Sequence, residues 1–149
     1  MRRIALSFFT ALTLLPAPAP AQSPAPGQPP HAPLFGTWTG GLFPVPSSLT
    51  TQACLSQPVV IFTRDLVLRA TLTEQVLTQR EVESVRVEGG TEEFRFRPVV
   101  QGPASITAGL RSVGFGCETA NVLHVQRRGE NEIIFPNCSD FPNPLVRCR

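Results

Sequence analysis

The feature that most constrains the fold is a two-glycine turn between two alternating runs, VESVRVEGGTEEFRF, at residues 82–96. Two-residue hairpin turns favour positive φ at their central positions, which glycine adopts at little steric cost. Folding the chain about Gly89-Gly90 predicts four cross-strand pairs: Val87 with Glu92, Val85 with Phe94, Glu83 with Phe96, and Arg86 with Glu93 as an exposed charge pair. This register puts the two valines and the two phenylalanines on one face, which is typical of a half-buried sheet.

Further strand patterns flank this hairpin. Residues 58–63 form a β-branched apolar run, and residues 66–73 alternate, with one face formed by Leu66, Leu68, Ala70 and Leu72. A second hairpin is expected at residues 121–138, with a three-residue loop at 128–130 that pairs Val125 with Ile133 and Leu123 with Phe135. Residues 75–85 also fit a short helix as an alternative. Residues 101–116 predict a long loop, and prolines in the tail argue against a central strand there.

A sheet of seven or eight short strands, joined mostly by hairpins, would expose unpaired backbone groups at its two edges. A closed barrel has no such edges. We therefore predict an all-β fold, a small up-and-down antiparallel barrel spanning residues 34–149. Side chains can fill a barrel of about eight strands, or it can hold one small ligand. Gly36 lets the first strand bend, and the single tryptophan, Trp38, is expected to close the base of the barrel. The indole is then either a core plug or the floor of a pocket.

The N-terminal residues predict export. Arg2 and Arg3 precede an apolar run at residues 4–15, and small residues at 19–21 fit a signal peptide at 1–21, cleaved before Gln22. The run is shorter than the roughly 20 residues that span a bilayer, so stable membrane insertion is not expected. Residues 22–33, QSPAPGQPPHAP, predict a disordered proline-rich arm in which His31 is solvated. We expect a periplasmic or secreted protein.

The cysteines predict two disulfides, because an even count in an exported chain reads as a disulfide framework. No two of the four cysteines form a CxxC pair, so no zinc site is expected. They are Cys54, Cys117, Cys138 and Cys148. The spacing favours Cys54–Cys117 with Cys138–Cys148, and Cys117–Cys138 is the main alternative.

Gly36-Thr37-Trp38 resembles the Gly-x-Trp signature on the first strand of the calycin barrels, which include lipocalins and avidins, and a similar opening in bacterial metalloprotease inhibitors. The resemblance covers the first strand and implies an up-and-down barrel. In lipocalins an arginine near the last strand packs on this tryptophan, which implies Arg127, Arg128 or Arg147 here. The whole mature sequence also resembles small exported proteobacterial proteins, which implies export without indicating an activity.

Residue types that carry catalysis are sparse. His124 has no recognisable serine nucleophile motif nearby, the cysteines are expected to be oxidised, and no glycine-rich phosphate loop lies between a strand and a helix. The sequence therefore predicts no enzyme, no cofactor and no metal site. After signal removal, eleven of the 13 basic residues remain against 11 acidic residues, so nucleic acid is not an expected partner.

Two binding functions remain. In the first, the barrel holds a small apolar ligand, in or at its mouth, contacted by Trp38, Leu68, Leu72, Phe94, Phe96 and Leu123. In the second, the chain is a protein-interaction module, for example an inhibitor of an exported protease. The inhibitor barrels that the sequence resembles place an N-terminal arm in the protease cleft, and residues 22–33 occupy the matching position. A structural role in the cell envelope is a third possibility.

Overall fold

A computed structural model of the chain describes residues 27–44, 54, 58–71, 77–99 and 114–148. Several sequence-based predictions lie outside these residues. They are the signal peptide at 1–21, the first part of the arm, Leu72, and the predicted loop up to residue 113.

The described residues form a closed antiparallel barrel in which each strand pairs with its neighbours in chain order. Its eight strands are β1 (Gly36–Gly40), β2 (Val59–Phe62), β3 (Leu66–Ala70), β4 (Thr78–Glu88), β5 (Thr91–Phe96), β6 (Val122–Arg127), β7 (Glu132–Ile134) and β8 (Leu145–Arg147). A short 3-10 helix at Ala32–Leu34 precedes β1. The predicted all-β barrel is confirmed, and β4 takes the place of the alternative helix.

Barrel closure depends on the tail. β8 pairs with β1 on one side and with β7 on the other, so the expectation that the tail contains no central strand is wrong. The physical reason is that Pro142 and Pro144 both precede β8, so neither removes a donor from its ladder.

The strand directions define two ends of the barrel. The first end holds residues 31–36, the β2–β3 turn at 63–65, the β4–β5 hairpin at 89–90 and the β6–β7 loop at 128–131. The second end holds the described parts of the β5–β6 connection, 97–99 and 114–121, and the β7–β8 loop, 135–144.

The glycine hairpin forms as predicted near its turn. Gly89 and Gly90 have φ of 57° and 81°, and three of the four expected pairs are present: Val87 with Glu92, Val85 with Phe94 and Arg86 with Glu93. Phe96 pairs with Val82 instead of Glu83, because a bulge between Val82 and Ser84 shifts the register. In the second hairpin, Ile133 pairs with Arg127 instead of Val125. A slip of two residues keeps each side chain on its expected face.

β3 shows the largest departure from the sequence pattern. The structure buries Val67 and Arg69 and leaves Leu66, Leu68 and Ala70 partly exposed, so the predicted inner face is wrong. The Arg69 guanidinium is neutralised by Asp140 from the β7–β8 loop, with Nη1 2.5 Å from Oδ2. It also lies over the ring of Phe115, 5.7 Å from the centroid. An arginine becomes an interior residue here because a distant loop supplies its counter-charge.

Phenylalanine side chains form a connected cluster in the barrel core. Consecutive ring contacts, with centroids 5.4 to 6.4 Å apart, link six buried side chains: Phe62, Phe94, Phe96, Phe115, Phe135 and Phe141. Aromatic pairs at such distances stabilise the folded state by more than their buried apolar area alone would. The aromatic cluster runs from β5 at the centre of the barrel to the loops of the second end.

Two disulfides staple the chain, Cys54–Cys148 and Cys117–Cys138. The favoured pairing of Cys54 with Cys117 is wrong, and the alternative Cys117–Cys138 is confirmed. Spacing could not decide between them, because closure of the barrel brings Cys148 beside β1, where its backbone N–H donates to the Thr37 carbonyl.

Candidate functional site

A surface groove of about 560 Å³ lies beside β7 and the β7–β8 loop. It is lined by Arg128, residues 134–139, Phe141, Pro142 and Pro144. We call this surface the β7 groove. Concave, mostly apolar surfaces with a few polar groups are where proteins hold ligands and peptide segments.

The wall of the β7 groove comes from a repeated tripeptide, Phe-Pro-Asn, at residues 135–137 and 141–143. Both phenylalanines are buried and both prolines face outward, so each repeat fixes one ring in the core and one on the surface. Proline cannot donate to a ladder, which is why the chain leaves the sheet after Ile134. Asn137, at φ 60°, turns the chain between the repeats.

The loop is held from several sides. Cys138 is bonded to Cys117, and the Ser139 N–H donates to the Gly116 carbonyl at 2.9 Å. The Asn143 backbone N–H donates to the Gly41 carbonyl at 2.7 Å, and its side-chain amide donates to the Leu42 carbonyl at 2.9 Å. A Cβ on Gly41 would lie 2.5 Å from the ring of Phe141, so the backbone approaches too closely for any other residue. The β7 groove is thus preformed.

Arg128 is the charged member of the β7 groove. It is exposed, and no described acidic group pairs with it. Its neighbour Arg127 differs, since Nε of Arg127 lies 2.7 Å from Oε1 of Glu92. Glu92 is fully buried, Oε2 has no hydrogen-bond partner in the described part of the chain, and burial raises the pKa of this carboxyl. Among its described lining residues, the groove therefore presents one cation and no acidic side chain.

Trp38 lies at the first end, as the sequence suggested. Its indole N–H donates to the Leu34 carbonyl at 2.8 Å. Of the three arginines that the resemblance named, Arg147 lies on the indole, with Cζ 4.3 Å from the ring centroid. Arg147 also donates to the carbonyls of Phe35, at 2.7 Å, and Pro33. The tryptophan and the arginine together fix the entry to β1.

A second arginine lies inside the barrel. Arg80 is buried, with Cζ 5.1 Å from the centroid of Phe96, and donates to the Ala120 carbonyl and the Asn121 side chain at 2.8 and 2.7 Å. Burial, and then the charge of Arg69, lower the pKa of Arg80. These contacts tie β4 to the 114–121 segment at the second end.

The predicted ligand-contacting residues do not share one open surface. Trp38, Phe94, Phe96 and Leu123 are buried among other side chains of the core. Leu68 is partly exposed on the other face of β3, and Leu72 lies outside the described residues. The prediction that they contact a ligand stays a prediction.

His124 lies on the outer surface of β6, with Nε2 3.3 Å from Oε2 of Glu93. Glu93 also pairs with Arg95, whose Nε lies 2.8 Å from Oε1, and this hydrogen bond lowers the pKa of the Glu93 carboxyl. The predicted partner Arg86 faces Glu93 in the register. This is an exposed charge cluster on a strand surface.

The burial of His31 differs most from the sequence-based prediction. It was expected to be solvated in the arm, yet it is buried with an exposed fraction of 3%. Its Nε2 lies 3.3 and 3.1 Å from the carbonyls of Thr63 and Arg64. The hydrophilic composition around it gave no indication of this contact, because the partners lie more than thirty residues away.

Comparisons with protein-family models, with curated proteins and with solved structures found no match. Among the described residues, no helix has the length and apolar character to cross a membrane, and no group of three or more His, Cys, Asp or Glu side chains could hold a metal ion. The fold and the site define a disulfide-stapled, eight-stranded antiparallel β-barrel with a preformed groove on its surface.

Proposed function

We propose that the protein is a non-enzymatic binding module whose barrel serves as a rigid scaffold and whose β7 groove binds an extended segment of another protein. The observation that carries the proposal is the packed interior. Six phenylalanine rings in contact, together with two buried arginines, pack in the described part of the core. A binding surface outside the barrel is then better supported than an internal pocket.

The chemistry of the β7 groove favours one kind of segment. The outward-facing proline rings suit apolar side chains, and proline rings lose no conformational freedom on binding. Arg128 supplies a fork of N–H donors that matches a carboxylate. The expected partner segment therefore combines an apolar residue with an acidic side chain or a free C-terminal carboxylate.

The setting of this function is the exported compartment. Two disulfides are consistent with an oxidising environment. From the predicted signal peptide at 1–21 we infer that the protein is periplasmic or secreted. Membership of the calycin-like barrels is part of the same proposal, supported by the eight-stranded closure and by the Trp38–Arg147 contact.

The protease-inhibitor alternative needs a test that leaves the barrel intact. His31 and the Pro33 carbonyl are held by the barrel, so removing residues 22–33 would also damage its first end. Removing residues 22–26 leaves these contacts intact. Loss of protease inhibition in that shorter deletion would support arm-mediated inhibition instead of groove binding.

The test uses the oxidised mature protein, residues 22–149, and a display library of random linear peptides. Selected peptides are titrated into isotope-labelled protein and followed by NMR. We expect apolar peptides with a carboxylate to shift resonances of Arg128 and residues 134–144. Arg128→Gln should weaken binding about tenfold, since a charge-assisted hydrogen bond contributes about 1.5–3 kcal/mol.

Arg86→Gln is the matched control, because Arg86 is an exposed strand arginine away from the β7 groove. Its affinity for the selected peptides should equal that of the wild type. Peptides that shift resonances elsewhere, or equal affinities for Arg128→Gln and wild type, would contradict the proposal. A small molecule that copurifies and shifts Trp38, Phe94 and Leu123 would support the internal-ligand function instead.

A further inference from the structure

The segment Gly27–Phe35, which we call the N-terminal strap, is fixed to several parts of the barrel at its first end. His31 reaches the β2–β3 turn through the carbonyls of Thr63 and Arg64. The carbonyls of Pro33 and Phe35 accept hydrogen bonds from Arg147 on β8. The strap therefore covers this end of the aromatic core.

The imidazole of His31 is held in its neutral form by geometry. Carbonyl oxygens can only accept, so Nε2 must carry the proton that reaches them. Nδ1 is then left as an unprotonated acceptor, and it is buried without a hydrogen-bond partner among the described residues. The ring packs edge-on against Phe35 and Phe94, with both centroids 5.2 Å away.

Protonation would place a second N–H, and a positive charge, on Nδ1 in this apolar site. A buried cation whose new donor has no acceptor is strongly disfavoured relative to the same group in water. Desolvation accordingly lowers the pKa of His31 below its ordinary 6.5. The two carbonyls and the Asp65 carboxylate act in the opposite direction but do not overcome burial.

Other charged groups around the strap do not replace the missing acceptor. Arg64 on the β2–β3 turn and Arg147 on β8 are cations, which disfavour a charged imidazole. Glu92 on β5 shares the inner face with Phe94 but is paired with Arg127. Asp65 is the acidic group on the turn that contacts His31, and it is exposed.

We propose that the N-terminal strap is an acid-released closure of the barrel, with His31 as its latch. Neutral His31 keeps the strap docked. Charged His31 leaves its site for water, the strap detaches, and the aromatic surface around Phe35, Phe62 and Phe94 becomes accessible. Release of the strap does not require binding in the β7 groove.

The direction of the pH dependence follows from linkage. The docked state has a lowered pKa for His31 and the released state has the ordinary one, so the released state binds more protons between the two values. Docking is therefore strongest above about pH 6.5 and weakens as the pH falls below it. One linked proton changes the docking equilibrium by at most about tenfold per pH unit.

The test is hydrogen exchange measured by mass spectrometry on the oxidised mature protein, at about pH 7.5 and about pH 5, with intrinsic rates corrected. Peptides that cover residues 27–35 should lose protection about tenfold at the lower pH, while β5 and β6 keep theirs. His31→Gln keeps an amide donor for the two carbonyls and stays neutral, so the pH dependence of the strap should disappear.

His124→Gln is the control for an exposed histidine and should retain the wild-type pH dependence, as should Glu92→Gln. Strap protection that does not change between the two pH values, or a His31→Gln variant that retains the full change, would overturn the proposal. If His31→Gln fails to fold, the His31 imidazole of the wild type is titrated by NMR instead. The latch requires a pKa for His31 below its ordinary 6.5, and an unlowered or raised value would overturn it.

Discussion

The barrel interior and the β7 groove use the same residue types for opposite purposes. Inside, phenylalanine rings pack against one another in the core. In the groove, Phe135 and Phe141 face the core while Pro136, Pro142 and Pro144 keep a concave surface open. The interior of such a barrel can serve stability while a disulfide-bonded loop carries the binding surface.

The largest effect is expected from a substitution that creates a cavity in the barrel core. Phe62→Ala removes a buried ring that contacts Phe94 and Phe135, so we expect a loss of about 3–5 kcal/mol in the free energy of unfolding. The cavity should also bind benzene, which would raise the Tm of the variant and not that of the wild type. Chemical denaturation and thermal scans measure both effects.

Phe43→Ala is the control, since Phe43 is 51% exposed. Its free energy of unfolding should stay within about 0.5 kcal/mol of the wild type. An equal loss in the two variants would mean that Phe62 is not a core residue.

The groove can be loosened by removing its staple. The double variant Cys117→Ser with Cys138→Ser opens a loop with a sequence separation of 21 residues, for which we expect a loss of about 3 kcal/mol in the free energy of unfolding. Peptides selected on the wild type should bind the folded variant more weakly, because the groove is no longer preformed. Calorimetric titration measures the affinity. Removal of Cys54–Cys148 should leave that affinity unchanged at temperatures where the variant is folded.

The first end of the barrel offers a smaller perturbation. Arg147→Gln removes the cation above Trp38 and weakens the hydrogen bonds to the strap carbonyls, so we expect a loss of about 1–2 kcal/mol in the free energy of unfolding. Trp38 fluorescence should change at the same time. Arg86→Gln, at an exposed strand position, should alter neither quantity. An unchanged emission spectrum for Arg147→Gln would argue against the contact with the indole.

The smallest expected effect concerns Glu92. Burial raises its pKa above 4.5, so the native state holds this proton more tightly than the unfolded chain. The stability that it contributes is full below pH 4.5 and is lost as the pH rises through the native pKa. Glu92→Gln should remove this decline, with a difference below about 1 kcal/mol at neutral pH because Arg127 offsets part of the cost. Urea titrations at pH values from below 4.5 to neutral measure the free energy of unfolding. A decline with rising pH that is steeper in the variant than in the wild type would mean that Glu92 does not cause it.

Most of the fold could be predicted from local sequence patterns. The glycine turn and the alternation beside it determined three cross-strand pairs correctly, since both lie within a few residues of each other. The bulge at Val82 and Ser84 depends on how β4 fits its neighbours, which no local pattern encodes.

The site was harder to predict because its determinants are distant in sequence. Arg69 lies inside since Asp140, 71 residues away, neutralises it. His31 is buried where a carbonyl of the β2–β3 turn accepts a hydrogen bond from its Nε2–H. The repeated Phe-Pro-Asn was available in the sequence and could have indicated a structured loop at residues 135–143.

The most direct test of the central claim, a filled barrel that binds at its surface, is native mass spectrometry of the oxidised mature protein from an exporting host. We expect the mass of residues 22–149, after removal of the predicted signal peptide, less four hydrogens for the two disulfides and with no retained small molecule. A stoichiometric adduct of a few hundred daltons that is lost on unfolding would contradict it and would locate the function inside the barrel.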